Sequence, residues 1–173
     1  IPICPCGKKT VTIFQKGVSM EGIIAIDPGS GGALAFITDA SHYSEAYKCP
    51  STTREMFAVY NHCVSACYID GLKPTVVVEK VWAFPTDARS NAFNFGVNYG
   101  KWLGIISSSN IKPILVTPKK WQDAYQPLSK DKPTRKRELK QIASEMFPEV
   151  RVTLYNCDAL LIGAWACLLY TSP

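Results

Sequence analysis

Asp27 closes an apolar run, IIAIDPGSGGALAF over residues 23–36, in which it is the only charged group. Glu79 lies in VVVEKV, otherwise valine and one lysine, and Asp158 is followed at once by Ala159, Leu160, Leu161 and Ile162. A carboxylate among such neighbours is costly unless it is paired or binds a cation. Side chains two apart on a strand share a face, so Asp27 and Glu79 can point the same way from adjacent strands. A helix starting over that face would add Asp158. Three carboxylates meeting in a low-dielectric place repel one another unless cations neutralise them. Hard divalent ions take oxygen ligands, and two of them about 3.5–4 Å apart can clamp the attacking and leaving oxygens of a phosphodiester. Asp27, Glu79 and Asp158 are therefore the candidate catalytic and metal-ligating residues, with Mg²⁺ as the expected ion and Mn²⁺ as its substitute.

Each acid also has a plainer reading. Asp27, before Pro-Gly, could cap a turn. Glu79 could pair with Lys80 or with a basic residue across the sheet, and Asp158 could be a helix N-cap. The charge distribution favours the joint reading. The chain carries a formal +5, and residues 118–140 hold eight Lys/Arg against three acids while the remainder balances. A basic excess confined to one segment fits a polyanion partner better than a device for solubility. Lys119, Lys120, Arg135, Lys136, Arg137 and Lys140 are the expected phosphate contacts; for 133–140 the alternative is a solvated helix face. Trp82, Phe84 and Phe93, in or near the segment directly after Glu79, could stack on unpaired bases, with Arg89 as a further nucleic-acid contact. Phe93 and Phe95, in a helical segment, read alternatively as core.

Positioning these groups requires strands and helices in a definite order. GIIAID (22–27) and ALAFIT (33–38) flank PGSGG, a link short enough for an antiparallel hairpin. HYSEAYK (42–48) is a third strand. Thr52 and Glu55 form a capping box before a helix over MFAVYNHCVSACYI that stops near Gly71. TVVVEKV (75–81) is β-branched without alternation, hence a strand covered on both faces. Residues 91–107 read as an amphipathic helix, and IKPILVT (111–117) as another buried strand. Thr117-Pro118 is an N-cap followed by proline at the first helical position, which starts a short helix over KKWQDAY. A basic amphipathic helix follows over 133–147, and the last helix begins near Cys157 or Asp158. This order predicts an α/β fold: a mixed five-stranded sheet with an antiparallel N-terminal hairpin and helices on both faces.

A chain of 173 residues, 47% hydrophobic and 19% charged, is the size and composition of one globular domain. We expect that domain over 20–170, with 1–19 a disordered leader or upstream translation before Met20 and 171–173 a truncated tail. The longest apolar stretch, residues 159–170, is too short to span a bilayer, so no membrane partner is expected. Seven cysteines without paired CxxC knuckles read as buried thiols in a reducing cytosol.

IIAIDPGSGGALAF, VVVEKVWAFP, SNAFNFGVNYGKWLGII, ILVTPKKWQ and CDALLIGAWA occur in the order seen in RuvC-type Holliday-junction resolvases. The chain resembles their shorter bacteriophage-like branch, within the RNase H-like superfamily, over roughly residues 20–168. The resemblance implies a cytoplasmic, homodimeric, Mg²⁺-dependent endodeoxyribonuclease in a bacterial or phage-infected cell. Such an enzyme nicks two strands of a four-way DNA junction with metal-activated water and no covalent enzyme intermediate, for recombination and repair. It also implies that Asp27, Glu79 and Asp158 hold the metals. This chain departs from the family at a fourth ligand, an Asp or His one helical turn before the last acid, where Tyr155-Asn156-Cys157 stand instead. Two other readings remain open: a branched-DNA binding module that kept the fold and lost the ligand, and a fragment of an actin-like kinase. The kinase reading is weakened by the chain's length and by the absence of GK[ST] after DPGSGG.

Overall fold

The computed structural model describes residues 21–38, 43–80 and 88–171. Five strands form one sheet: β1 (Glu21–Asp27), β2 (Ala33–Thr38), β3 (Tyr43–Lys48), β4 (Lys73–Glu79) and β5 (Ile114–Val116). The helices are α1 (Thr53–Ile69), α2 (Arg89–Ser108), α3 (Pro118–Gln122), α4 (Lys132–Met146) and α5 (Cys157–Thr171), with a 3-10 turn over Asp123–Tyr125. The spatial order is β3-β2-β1-β4-β5. β1, β2 and β3 pair antiparallel, as the short DPGSGG link requires, whereas β4 runs parallel to both β1 and β5.

The strand alternation sorts the core into two layers. Ile24, Ile26, Leu34, Phe36, Val76 and Val78 face α1 and α2, packing on Met56, Tyr60, Cys63, Cys67, Trp102 and Ile106. Ile23, Ala25, Ala33, Ala35, Ile37, Val77 and Val116 face α3, α4 and α5. The second face carries small side chains from the sheet, Ala25, Ala33 and Ala35, and α5 closes on it. A methyl carbon at Gly163 would lie 3.3 Å from the Ala25 Cβ and 2.5 Å from the Ile37 Cδ1. Beyond Asp158, α5 is apolar on every side and is buried from Ala159 through Cys167.

Helix starts follow their expected chemistry. Thr52 and Glu55 make the reciprocal capping box of α1, and Gly71 takes the positive φ that ends it. Thr117 caps α3 with Pro118 in its first turn. The strand boundaries differ more. β4 begins at Lys73 and ends on Glu79, so Glu79 closes the strand; residue 81 lies outside the described residues. β5 is only three residues long and is not a buried central strand, because it lies at the sheet edge with Leu115 44% exposed. Pro113 has no N–H to extend its ladder. Phe93 is 71% exposed on α2, not core, while Phe95 is half-buried against Gly29. Cys49, Cys63, Cys67, Cys157 and Cys167 are buried free thiols, as expected.

Because Gly163 sets how closely α5 approaches the sheet, Gly163→Val should overpack that contact. We expect a loss of about 1–3 kcal/mol, read as a lowered midpoint in chemical denaturation with an unchanged slope.

Candidate active site

The parallel pairing of β1 with β4 places the first two acids. Ile26 lies opposite Val78, so Asp27 and Glu79 occupy the next positions in register, at the same end of the sheet. Alternation puts Asp27 on the face of Ala25, and Glu79 on the face of Val77. Both residues belong to the layer covered by α5. Asp158 stands in the first turn of α5, over that end of the sheet. Three segments far apart in sequence thus deliver their carboxylates to one place.

Each carboxylate accepts from a donor of the chain, and Asp158 from two, its Oδ1 also taking the Cys157 thiol at 3.4 Å. The Gly29 N–H donates to Asp27 Oδ1 at 3.2 Å. The Trp121 indole Nε1–H donates to Glu79 Oε1 at 2.8 Å, both groups being buried. The Lys136 ammonium donates to Asp158 Oδ2 at 2.6 Å. The turn under Asp27 is itself anchored: Gly32 N–H donates to Gly29 O and Cys49 N–H to Gly32 O, both at 2.9 Å. Asn98 Nδ2, from α2, donates to Pro28 O at 2.7 Å. Gly32 has to be glycine, since a side-chain carbon there would lie 2.7 Å from Asp27 Cγ.

The electrostatics record the crowding. Burial and then the Asp158 charge push Asp27 up to about 6, against the opposing pull of the Gly29 N–H and Lys136. Burial and then the Asp27 charge push Glu79 up to about 7, although the Trp121 bond and Lys136 work the other way. Burial disfavours the charged form of Lys136, but Asp158 and, further off, Asp27 outweigh it and its pKa rises. One ammonium faces three acids, so the cluster remains short of positive charge. The chemistry of this donor set fits hard divalent cations. Its side-chain positions are not closed on one, for among the described residues no three His, Cys, Asp or Glu groups are placed to hold a metal ion together.

The plainer readings of the three acids are met only in part. Asp27 does cap its turn. Glu79 is held by Trp121. Asp158 follows the helix start, which is organised by Asn156: its Oδ1 accepts the Thr153 N–H at 2.7 Å and its Nδ2 donates to Arg151 O at 3.1 Å. That leaves the Asn156 amide committed to the loop. Tyr155 is half-exposed, with the Lys48 ammonium 4.7 Å from its ring centroid and Gly31 beside it.

The basic residues do not share one surface role. Lys119 and Lys120 are exposed on α3; Lys119 pairs with Asp123 at 2.7 Å, and Lys120 lies 5.7 Å from the Trp165 ring centroid. Arg135 donates to the Ser129 and Lys130 carbonyls at 3.3 Å, bracing the loop before α4. Arg89 and Arg137 are exposed and Lys140 is half-buried. Lys136 points into the acids. Trp82 and Phe84 lie outside the described residues. Trp121 and Asn98 were not singled out from the sequence. A tryptophan three residues into a capped helix after a core strand was the available signal for the first, and nothing local marked the second.

An α/β sheet of this order, with an antiparallel hairpin and helices on both faces, is the RNase H-like architecture. Among solved structures the chain is similar to "T. thermophilus RuvC in complex with Holliday junction substrate", with a TM-score of 0.58 and 14% identity over 88% of this chain and 96% of that one. It is also similar to "Thermus thermophilus RuvC structure", with a TM-score of 0.54 and 15% identity over 86% and 95% of the two chains. The chain has a RuvC-like fold. No family profile and no curated protein matches its sequence.

Acids whose folded pKa is raised bind protons more tightly in the native than in the unfolded chain. Their contribution to stability is full below the ordinary carboxylate range and is lost as pH rises through the folded values. In EDTA, wild type should therefore lose thermal stability between pH 4 and about 7 as Asp27 and Glu79 ionise. Asp27→Asn/Glu79→Gln should flatten that slope and melt higher than wild type at pH 8, as read by calorimetry.

Proposed function

We propose that this chain is a metal-dependent, structure-specific endodeoxyribonuclease that resolves four-way DNA junctions by hydrolysing phosphodiesters. The observation that carries the reading is the meeting of Asp27, Glu79 and Asp158 at one end of the sheet in a RuvC-like fold. Those residues would hold Mg²⁺ or Mn²⁺. Bound there, such ions supply polarisation of a phosphoryl oxygen and activation of water for in-line displacement.

The chain's own groups prepare this chemistry. Trp121 fixes the rotamer of Glu79, and the Gly29 N–H fixes that of Asp27, so neither carboxylate has to be ordered when substrate arrives. Burial under α5 keeps the acids in a low-dielectric setting where charge interactions are strong. Lys120 on α3 and Arg137 on α4 are exposed cations on the two helices that border the acids. They would bind the phosphate backbone and set its position. One acidic site per chain fits paired nicks made by a homodimer, one copy for each cleaved strand. The domain is assigned to residues 20–170. Among the described residues no helix is long and apolar enough to cross a membrane, and a cytoplasmic setting fits a DNA substrate.

A second reading has its own support. Tyr155, standing where a fourth ligand would be expected and half-exposed beside Gly31 and Lys48, favours a branched-DNA binding module that has lost catalysis. Incubating the protein with labelled four-way junction and linear duplex, with Mg²⁺ or Mn²⁺, separates the two. The nuclease produces paired nicks in the junction. Asp27→Asn, Glu79→Gln and Asp158→Asn should each lower the rate by at least about a hundredfold, near 3 kcal/mol of transition-state stabilisation. Tight junction binding without metal-dependent product would instead establish the module.

Phosphate contacts also predict a salt dependence. Lys120→Ala and Arg137→Ala should each weaken junction binding uniformly across sequences. Each should reduce the slope of log K against log salt by about one, measured by fluorescence anisotropy.

A further inference from the structure

Lys136 is the cation of the acidic cluster. It rises from the beginning of α4, and its ammonium lies 2.6 Å from Asp158 Oδ2, with the two side chains only 33% and 16% exposed. It is also the cation whose charge acts on both Asp27 and Glu79. A lysine charge partly withdrawn from water is favoured where carboxylates compensate it. Here it faces three, while the acids themselves are not closed on a metal ion.

We propose that Lys136 is an internal counter-ion that competes with divalent metal for Asp158. It neutralises the site in the ion-free chain and is expelled when a metal binds. The inference rests on the metal-site reading above and goes beyond it, because it makes the lysine and the metal mutually exclusive partners of one oxygen. A divalent ion ligated by Asp158 Oδ2 and an ammonium hydrogen-bonded to that oxygen would be two like charges a few ångströms apart in a poorly screened place. Lysine suits such an exchange, being a compact charge on a flexible stem that can swing out without disturbing α4. The apparent metal affinity is then the intrinsic affinity multiplied by the fraction of molecules in which Lys136 has withdrawn. The same exchange explains why the acids stand near one another without forming a finished ligand set.

Metal binding, not cleavage, is the test. Mn²⁺ titrations of the full chain without DNA, read from the electron paramagnetic resonance of the free ion, compare wild type with Lys136→Met, Lys136→Arg and Asp158→Asn. Lys136→Met should bind Mn²⁺ roughly tenfold more tightly, Lys136→Arg should not gain, and Asp158→Asn should lose affinity. Equal affinity in wild type and Lys136→Met overturns the exchange and leaves the metal site standing. Absence of saturable binding in both, with folded protein verified by circular dichroism, overturns the metal site and the exchange with it. A second measurement needs no variant to be stable. In ¹⁵N-lysine-labelled wild type the ammonium paired with Asp158 should be protected from solvent exchange in EDTA, and it should lose that protection on saturation with Mg²⁺. Protection that survives a saturating Mg²⁺ titration overturns the proposal.

Discussion

Burial of Asp27 and Glu79, compounded by repulsion between neighbouring carboxylates, is the constraint that the surrounding elements answer. Each acid is taken partly out of water, and the shifts of Asp27 and Glu79 toward neutral pH measure how strongly their charged forms are resisted. The chain offsets this with a backbone N–H, an indole N–H and one ammonium, each bound to a different carboxylate. None of these donors cancels the excess negative charge. Excess negative charge of this kind is what a bound cation would relieve, which is the physical root of the functional reading proposed above.

The fold supplies the proximity at some expense to packing freedom. Alanines at 25, 33 and 35 and the glycine at 163 thin the interface between the sheet and α5. That thinness lets the start of α5 come down over the ends of β1 and β4. Tyr125 ties the far side, donating its hydroxyl to the Leu161 carbonyl at 2.6 Å. Trp121 therefore serves two ends at once: it fills the core beside Tyr125 and presents its only polar atom to Glu79. The turn after Asp27 is braced by Cys49, just past β3, and by Asn98 of α2, so the hairpin that looks flexible in sequence is tied down from two sides.

The basic segment illustrates how one stretch of like charge divides its labour. Asp123 and the 129–130 carbonyls engage Lys119 and Arg135, while Lys136 turns inward. Lys120 on α3 and Arg137 on α4 are exposed. Net charge alone does not distinguish these roles, because the direction of a side chain depends on which helix face meets α5.

Much was legible from residue order alone. Apolar runs, turn glycines and cap residues specified the element order, the antiparallel hairpin and the start of α3, since those depend on neighbours within a few residues. The oddity of acids at 27, 79 and 158 was likewise visible locally. The edge position of β5, the exposure of Phe93 and the contact between Trp121 and Glu79 were not, because each depends on what packs across the sheet. Lys136 is the clearest case: in sequence it is one of several cations on an amphipathic helix, and only the docking of α4 against α5 turns it toward Asp158. Local chemistry settles which elements form and where they end. Pairwise distance between remote segments, which sets whether charges repel, pair or bind an ion, belongs to the folded chain.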